Sequence, residues 1–227
     1  MKQLSVLFAI IITSFVISCD NKKETKTSVT NAESATKIAK DVTKNKTIVF
    51  FGNSLTAALG LNPADGFAMR IQKRLDSLAT DYKVINAGLS GETTAAGKER
   101  VDWVITRQKV DIFVLELGGN DALRGLKTEE SEKNLQGIID KVKAKYPDCK
   151  ILLAGMMAPP NMGKKYADNF QGNYKKLAKQ NNIALIPFLL EGVGGIPKFN
   201  QADGIHPTAE GNLIITETVW KYLKPLL

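Results

Sequence analysis

Five short apolar runs, each separated from the next by a stretch with helical spacing, restrict what this chain can fold into. The runs cover residues 48–51, 82–86, 111–117, 150–156 and 183–187. Between them the apolar positions recur every three to four residues. Examples are Phe67, Ile71, Leu75 and Leu78 within 66–78, and Leu135, Ile138, Ile139 and Val142 within 128–146. Helices are also expected over 94–107, 165–180 and 207–222, the last with Pro207 in its first turn. The runs read as strands apolar on both faces, which only a sheet covered on both sides accommodates. Strands alternating with helices of this length predict an α/β, three-layer α/β/α domain with a five-stranded parallel sheet. No internal repeat or second domain is legible.

In such sheets ligands bind beyond the carboxyl ends of the strands. The segments that collect there are 52–56 after the first strand, 88–94 after the second, 118–121 after the third and 157–163 after the fourth. Asp203-Gly204-Ile205-His206-Pro207 follows the fifth strand and a Gly/Pro-containing loop over 192–202. His206 is the only histidine of the 227 residues, so imidazole chemistry in this chain must use it. Asp203 stands three residues earlier, close enough to bond one ring nitrogen and leave the other free. Asp-Gly and His-Pro are turn-prone pairs, and alone this stretch reads equally well as a surface turn. Gly52-Asn53-Ser54-Leu55-Thr56 supplies a nucleophile candidate in Ser54, which needs a base to take its proton. A serine after glycine and asparagine is more commonly a cap or turn residue. Gly118-Gly119-Asn120-Asp121 offers close backbone approach and a side-chain amide for a developing oxyanion, and Ser90-Gly91-Glu92-Thr93 offers an unobstructed N–H; each also reads as an ordinary loop.

Taken together, Ser54, Gly91, Asn120 and His206, with Asp203 completing an Asp-x-x-His block, resemble the SGNH (GDSL-type) hydrolase family. Order and spacing agree over 47–227. The longer stretches 115–121, 123–125, 161–166 and 203–207 are similar to thioesterase and lysophospholipase members of it. The resemblance implies a flavodoxin-like SGNH-hydrolase fold and a serine esterase that forms an acyl-enzyme on Ser54. It implies His206 as base, Asp203 as its orienting acid, and an oxyanion hole from the N–H groups of Ser54 and Gly91 and the Asn120 amide. No cofactor is implied, and one histidine with scattered carboxylates makes a zinc site implausible. One position departs: the first block usually reads Gly-Asp-Ser-Leu, and here Asn53 replaces the aspartate. Asparagine keeps an acceptor oxygen and loses the charge, which bears on Ser54 orientation and on pH dependence.

Ahead of the domain, residues 4–17 form a nearly unbroken apolar run after Met1-Lys2, too short for a membrane span of roughly 20 residues and suited to a secretory signal. Val16-Ile17-Ser18-Cys19 resembles a bacterial lipoprotein box, so 1–19 is expected to be a signal segment ending at Cys19, the lipidated residue. Residues 20–46 are rich in Lys, Thr, Ser and Asn and are expected to form a flexible tether. An exported, lipid-anchored protein follows, with a membrane as partner through its N-terminus. Seven lysines against four acids in the tether carry much of the +8 formal charge; the remainder from residue 47 holds 23 basic and 19 acidic residues. With no aromatic-interleaved basic patch, nucleic acid is not an expected partner. Cys149 is left alone, which predicts no disulfide and a small core or strand-edge role.

The expected substrate is a small acyl ester or lipid. Met156, Met157 and Met162 stand beside the carboxyl edge, and methionine surfaces adapt to varied chains. Met156 and Met157 read equally as strand-end core, whereas Met162, Leu89 and Phe199 are candidates for a substrate groove. A carbohydrate O-acetylesterase on the same scaffold and a non-catalytic binding lipoprotein are the alternatives. Oligomeric state is not legible.

Overall fold

The computed structural model describes residues 44–227. The expected signal segment 1–19, its Cys19, and residues 20–43 of the tether lie outside the described residues. The tether was expected to run to 46, but the ordered domain begins earlier: Asn45 N–H donates to Asp81 Oδ1 at 2.7 Å and Lys46 N–H to the Asp81 carbonyl at 3.1 Å.

Five parallel strands form one sheet: β1 (Lys46–Gly52), β2 (Tyr82–Gly88), β3 (Ile112–Glu116), β4 (Lys150–Ala154) and β5 (Ala184–Ile186), in the order β2-β1-β3-β4-β5. The helices are α1 (Phe67–Ser77), α2 (Thr94–Ile105), α3 (Gly119–Leu123), α4 (Thr128–Lys145), α5 (Lys164–Asn181) and α6 (Ala209–Leu223). Right-handed crossovers from β1 to β2 and from β2 back to β3 lie on opposite faces of the sheet. Accordingly α1 packs with α6 in one layer, and α2, α4 and α5 pack side by side in the other. This is the three-layer α/β/α arrangement expected from the alternation.

The pleat of β1 explains why its run is apolar on both faces. Phe50 meets Phe67 of α1 edge-on, with ring centroids 5.8 Å apart. Its neighbour Phe51 points the other way, against Phe113 at 5.5 Å and beneath the Arg100 guanidinium of α2. Ile48, Val49, Phe50 and Phe51 are all buried, and β3 and β4 continue the same core. β2 pairs on one side only, and as an edge strand it tolerates an exposed Lys83. Among the described residues no helix is long and apolar enough to cross a membrane.

Two local expectations need correction. α6 starts at Ala209, because Thr208 accepts the Gly211 N–H through its hydroxyl at 3.1 Å and caps the helix; Pro207 lies ahead of the cap, bridged to Asn200. The segment 118–121 is not a plain turn: it opens the one-turn helix α3. Gly118 has φ 116°, and a β-carbon there would collide with the Tyr174 hydroxyl, which donates to the Leu117 carbonyl at 2.8 Å. Only glycine fits that conformation and that approach.

Candidate active site

The sheet order reverses direction between β1 and β3, and the crevice beyond their carboxyl ends is where a fold of this kind accepts ligands. Ser54 lies two residues beyond β1, Asn120 opens α3 beyond β3, and the Gly91 loop follows the neighbouring β2. The loop after β5 returns His206 to the same place. Its Nε2 lies 2.8 Å from Ser54 Oγ, across 152 positions of sequence. Its Nδ1 lies 2.6 Å from Asp203 Oδ2. Asp203 Oδ1 also accepts the N–H groups of Ile205 and His206, each at 2.9 Å. The hydrogen bond from the His206 ring, followed by those two N–H donors, holds the Asp203 carboxyl down to about 2. An ionised carboxylate at that distance takes the Nδ1 proton as its donor, so Nε2 is left as an acceptor for the Ser54 hydroxyl. Ser54 is only 7% exposed, whereas Asp203 stands at the rim.

Two supports fix the donors opposite Ser54. Gly91 has φ 80°, and a β-carbon there would meet nothing closer than Arg124 Nη2 at 4.0 Å, so its surroundings are open. Its loop is pinned from below by Glu92, a buried carboxylate gripped by Arg100 through Nε and Nη2 at 2.5 Å each, while Nη2 also reaches the Ala87 carbonyl. The Asn120 amide donates one N–H to the Glu92 carbonyl at 2.9 Å, and its second N–H has no protein acceptor among the described residues. Beside it, buried Asp121 accepts Thr94 N–H and Oγ1 and Ser131 Oγ, tying α3 to the starts of α2 and α4.

A third support was not foreseen. Glu116, the last residue of β3, is fully buried and accepts three bonds from the nucleophile segment. These come from Asn53 N–H at 3.1 Å, Asn53 Nδ2 at 2.8 Å and Thr56 Oγ1 at 2.8 Å. Burial outweighs those donors and pushes its carboxyl up to about 7. Asn53 Oδ1 in turn accepts the Leu55 N–H at 2.9 Å. Asn53 therefore uses both halves of its amide: the oxygen turns the chain at Ser54 and the nitrogen donates to Glu116, which an ionised aspartate cannot do. The available signal was a carboxylate closing an otherwise apolar strand.

The remaining candidates separate. Met156 is core, its methyl beside Gly119, while Met157 is exposed. Met162 is half-buried, with its methyl 3.4 Å from where a Gly125 β-carbon would stand. Leu89 is exposed in a groove of about 680 Å³ that it shares with Ala87 of β2 and Arg100 and Trp103 of α2. Phe199 packs against the core, and its carbonyl accepts the Thr208 N–H at 2.9 Å, which secures the loop bearing His206. Cys149 is partly buried, its thiol pushed up to about 12 by burial, and belongs to the structure rather than the site.

A serine, imidazole and carboxylate in line beneath a glycine and an asparagine define a class, and comparison with known proteins agrees. Residues 50–214 match the GDSL-like Lipase/Acylhydrolase family. The chain belongs to that family and is an ester-bond hydrolase. Esterase TesA of Pseudomonas aeruginosa is 42% identical over 182 residues, spanning 80% of this chain and 90% of that protein. Thioesterase 1/protease 1/lysophospholipase L1 of Escherichia coli is 32% identical over 181 residues, spanning 80% and 85%. The crystal structure of TesA superposes with a TM-score of 0.77 at 42% identity, covering 80% of this chain and all of that one.

Proposed function

We propose that this enzyme is a serine esterase for amphiphilic carboxylic esters and thioesters, of the lysophospholipase, arylesterase and thioesterase kind, working through an acyl-enzyme on Ser54. The observation that carries the reading is the line from Ser54 Oγ to His206 Nε2 at 2.8 Å and from His206 Nδ1 to Asp203 at 2.6 Å. Ser54 Oγ attacks the acyl carbonyl while its proton passes to Nε2. Negative charge then develops on the carbonyl oxygen. The Ser54 and Gly91 N–H groups and the unused Asn120 amide N–H receive that charge. His206 returns the proton to the leaving alcohol or thiol, then takes one from water as that water attacks the acyl-enzyme, and gives it to Ser54 Oγ as the bond to the acyl group breaks and the acid leaves. Asp203 keeps the ring in the required tautomer and stabilises the imidazolium that forms twice in the cycle.

The same reading includes export and anchoring. Cys19 at the end of an apolar segment is taken as the lipidated residue and 20–43 as the tether to the domain. Incorporation of labelled fatty acid into the full chain, absent in Cys19→Ala, tests the anchor.

Turnover of p-nitrophenyl esters across acyl lengths from acetyl to palmitoyl, beside Ser54→Ala, tests the chemistry. The expected result is serine-dependent turnover with its optimum above acetyl. Turnover surviving in folded Ser54→Ala removes the mechanism, and a sharp acetyl preference removes the amphiphile assignment.

A further inference from the structure

Among the described residues ten large apolar side chains are exposed, and seven of them lie in segments that follow the carboxyl ends of the strands, so the exposed apolar surface is gathered at the site edge. Leu59 follows β1, Leu89 follows β2, Leu126 follows β3, Met157 follows β4, and Ile196 and Ile205 follow β5. Each of the five strands contributes, so these side chains are distributed along the whole carboxyl edge of the sheet. Two are bound closely to the site. The Leu59 carbonyl accepts Gln201 Nε2 at 2.8 Å, and Gln201 N–H donates to the His206 carbonyl at 2.7 Å. Ile205 sits between the Asp203 and His206 of the triad. On the opposite side the five-residue run Leu123-Arg124-Gly125-Leu126-Lys127 is exposed throughout. Lys165, in the first turn of α5, is exposed on the same edge, and neither it nor Lys127 pairs with a carboxylate among the described residues.

Exposed aliphatic side chains gain free energy on leaving water for an apolar phase, and cations beside them favour an anionic surface. A protein docked on this edge would seal Ser54 from its substrate. A lipid surface would supply it. We infer that this apolar carboxyl edge docks the enzyme, active-site side down, on the surface of a phospholipid bilayer carrying anionic head groups. This rests on the esterase reading and narrows its substrate to acyl esters drawn from that surface.

Residues 20–227, which hold every element of the described residues, are tested in the Ser54→Ala background so that binding is independent of turnover. The probe is vesicles of phosphatidylcholine containing phosphatidylglycerol, read by co-sedimentation. The comparison is the triple variant Leu126→Asp/Met157→Asp/Ile196→Asp; Leu59 is left unchanged because its N–H donates to the Ser54 carbonyl at 3.0 Å. The expected result is binding by the parent and a loss of about tenfold or more in the triple variant. Absence of parent binding, or equal binding by a folded triple variant, overturns the inference. Binding abolished by high salt alone and indifferent to the three substitutions also overturns it. If the triple variant does not fold, an environment-sensitive fluorophore on Leu126→Cys is compared with one on Leu78→Cys at the far edge. A blue shift on vesicles confined to the first supports docking; no shift, or equal shifts, rejects it. Turnover of a soluble p-nitrophenyl ester by the Ser54-bearing parent separates failure of docking from failure of the esterase reading.

Discussion

Restoring the family's usual aspartate by Asn53→Asp places two carboxyl groups where one amide and one carboxyl now meet. Asn53 Nδ2 and Glu116 Oε1 are 2.8 Å apart, and both side chains are buried. Two full charges at that separation repel by roughly 6 kcal/mol even at an effective dielectric constant of 20. The folded variant avoids this by keeping one proton between the two oxygens. Alone, burial already pushes Glu116 up to about 7. A further repulsion of several kcal/mol moves loss of the shared proton beyond pH 9. The unfolded chain has both acids ionised from about pH 5 upward.

The sign follows from proton counts. A carboxyl whose folded value is raised favours folding below its unfolded value, and that advantage is lost as pH rises toward the folded one. In the natural protein this loss tapers through pH 7 and is finished about one unit higher, after which Glu116 contributes no further slope. In Asn53→Asp it continues at about 1.4 kcal/mol per pH unit through pH 9. Between pH 7 and 9 the variant is expected to lose roughly 2.3 kcal/mol relative to the natural protein, or about 5–9 °C in Tm for a domain of this size. Paired thermal melts of the two proteins in matched buffers measure the difference directly, because other titrations cancel. Melting curves that shift in parallel across that range would show that no proton is shared and refute the argument.

Three further outcomes follow from the same contacts. Asp203→Asn preserves size but removes the charge that holds the His206 tautomer, and kcat on a p-nitrophenyl ester should fall by roughly 10³–10⁴ with Tm little changed; a loss below tenfold would deny Asp203 its orienting role. Asn120→Ala removes one oxyanion donor and should lower kcat by about 10²–10³ with KM nearly constant; a pure KM effect would place the amide on the ground state instead. Arg100→Ala leaves the Glu92 carboxylate buried without its partner, at a cost of about 3–5 kcal/mol; denaturant melts that move by less than 1 kcal/mol would mean Glu92 finds another donor.

The two sets of groups around this site were not equally legible. The strands could be read because β1, β3 and β4 are covered on both faces, and continuous apolar runs of that length have few alternatives. The line from Ser54 to Asp203 could be assembled because the chain offers a single imidazole, so the base required no choice. The supports had no such uniqueness. Glu116 and Glu92 are two of 23 acidic residues, and nothing local distinguishes Arg100 from the other cations. Glu116 reaches Asn53 only because β1 and β3 are neighbours in the sheet, 63 positions apart in the chain. α3 was hidden for a different reason: its start depends on Gly118 at positive φ under the Tyr174 hydroxyl, a contact made from α5. Groups that do chemistry are constrained by type and are therefore visible one at a time. Groups that hold them are constrained by topology, and any buried acid or amide at the right point of the sheet could serve. This is why Asn53 can replace an aspartate here: the site requires a turn at Ser54 and a partner for Glu116, and an amide meets both requirements without a shared proton.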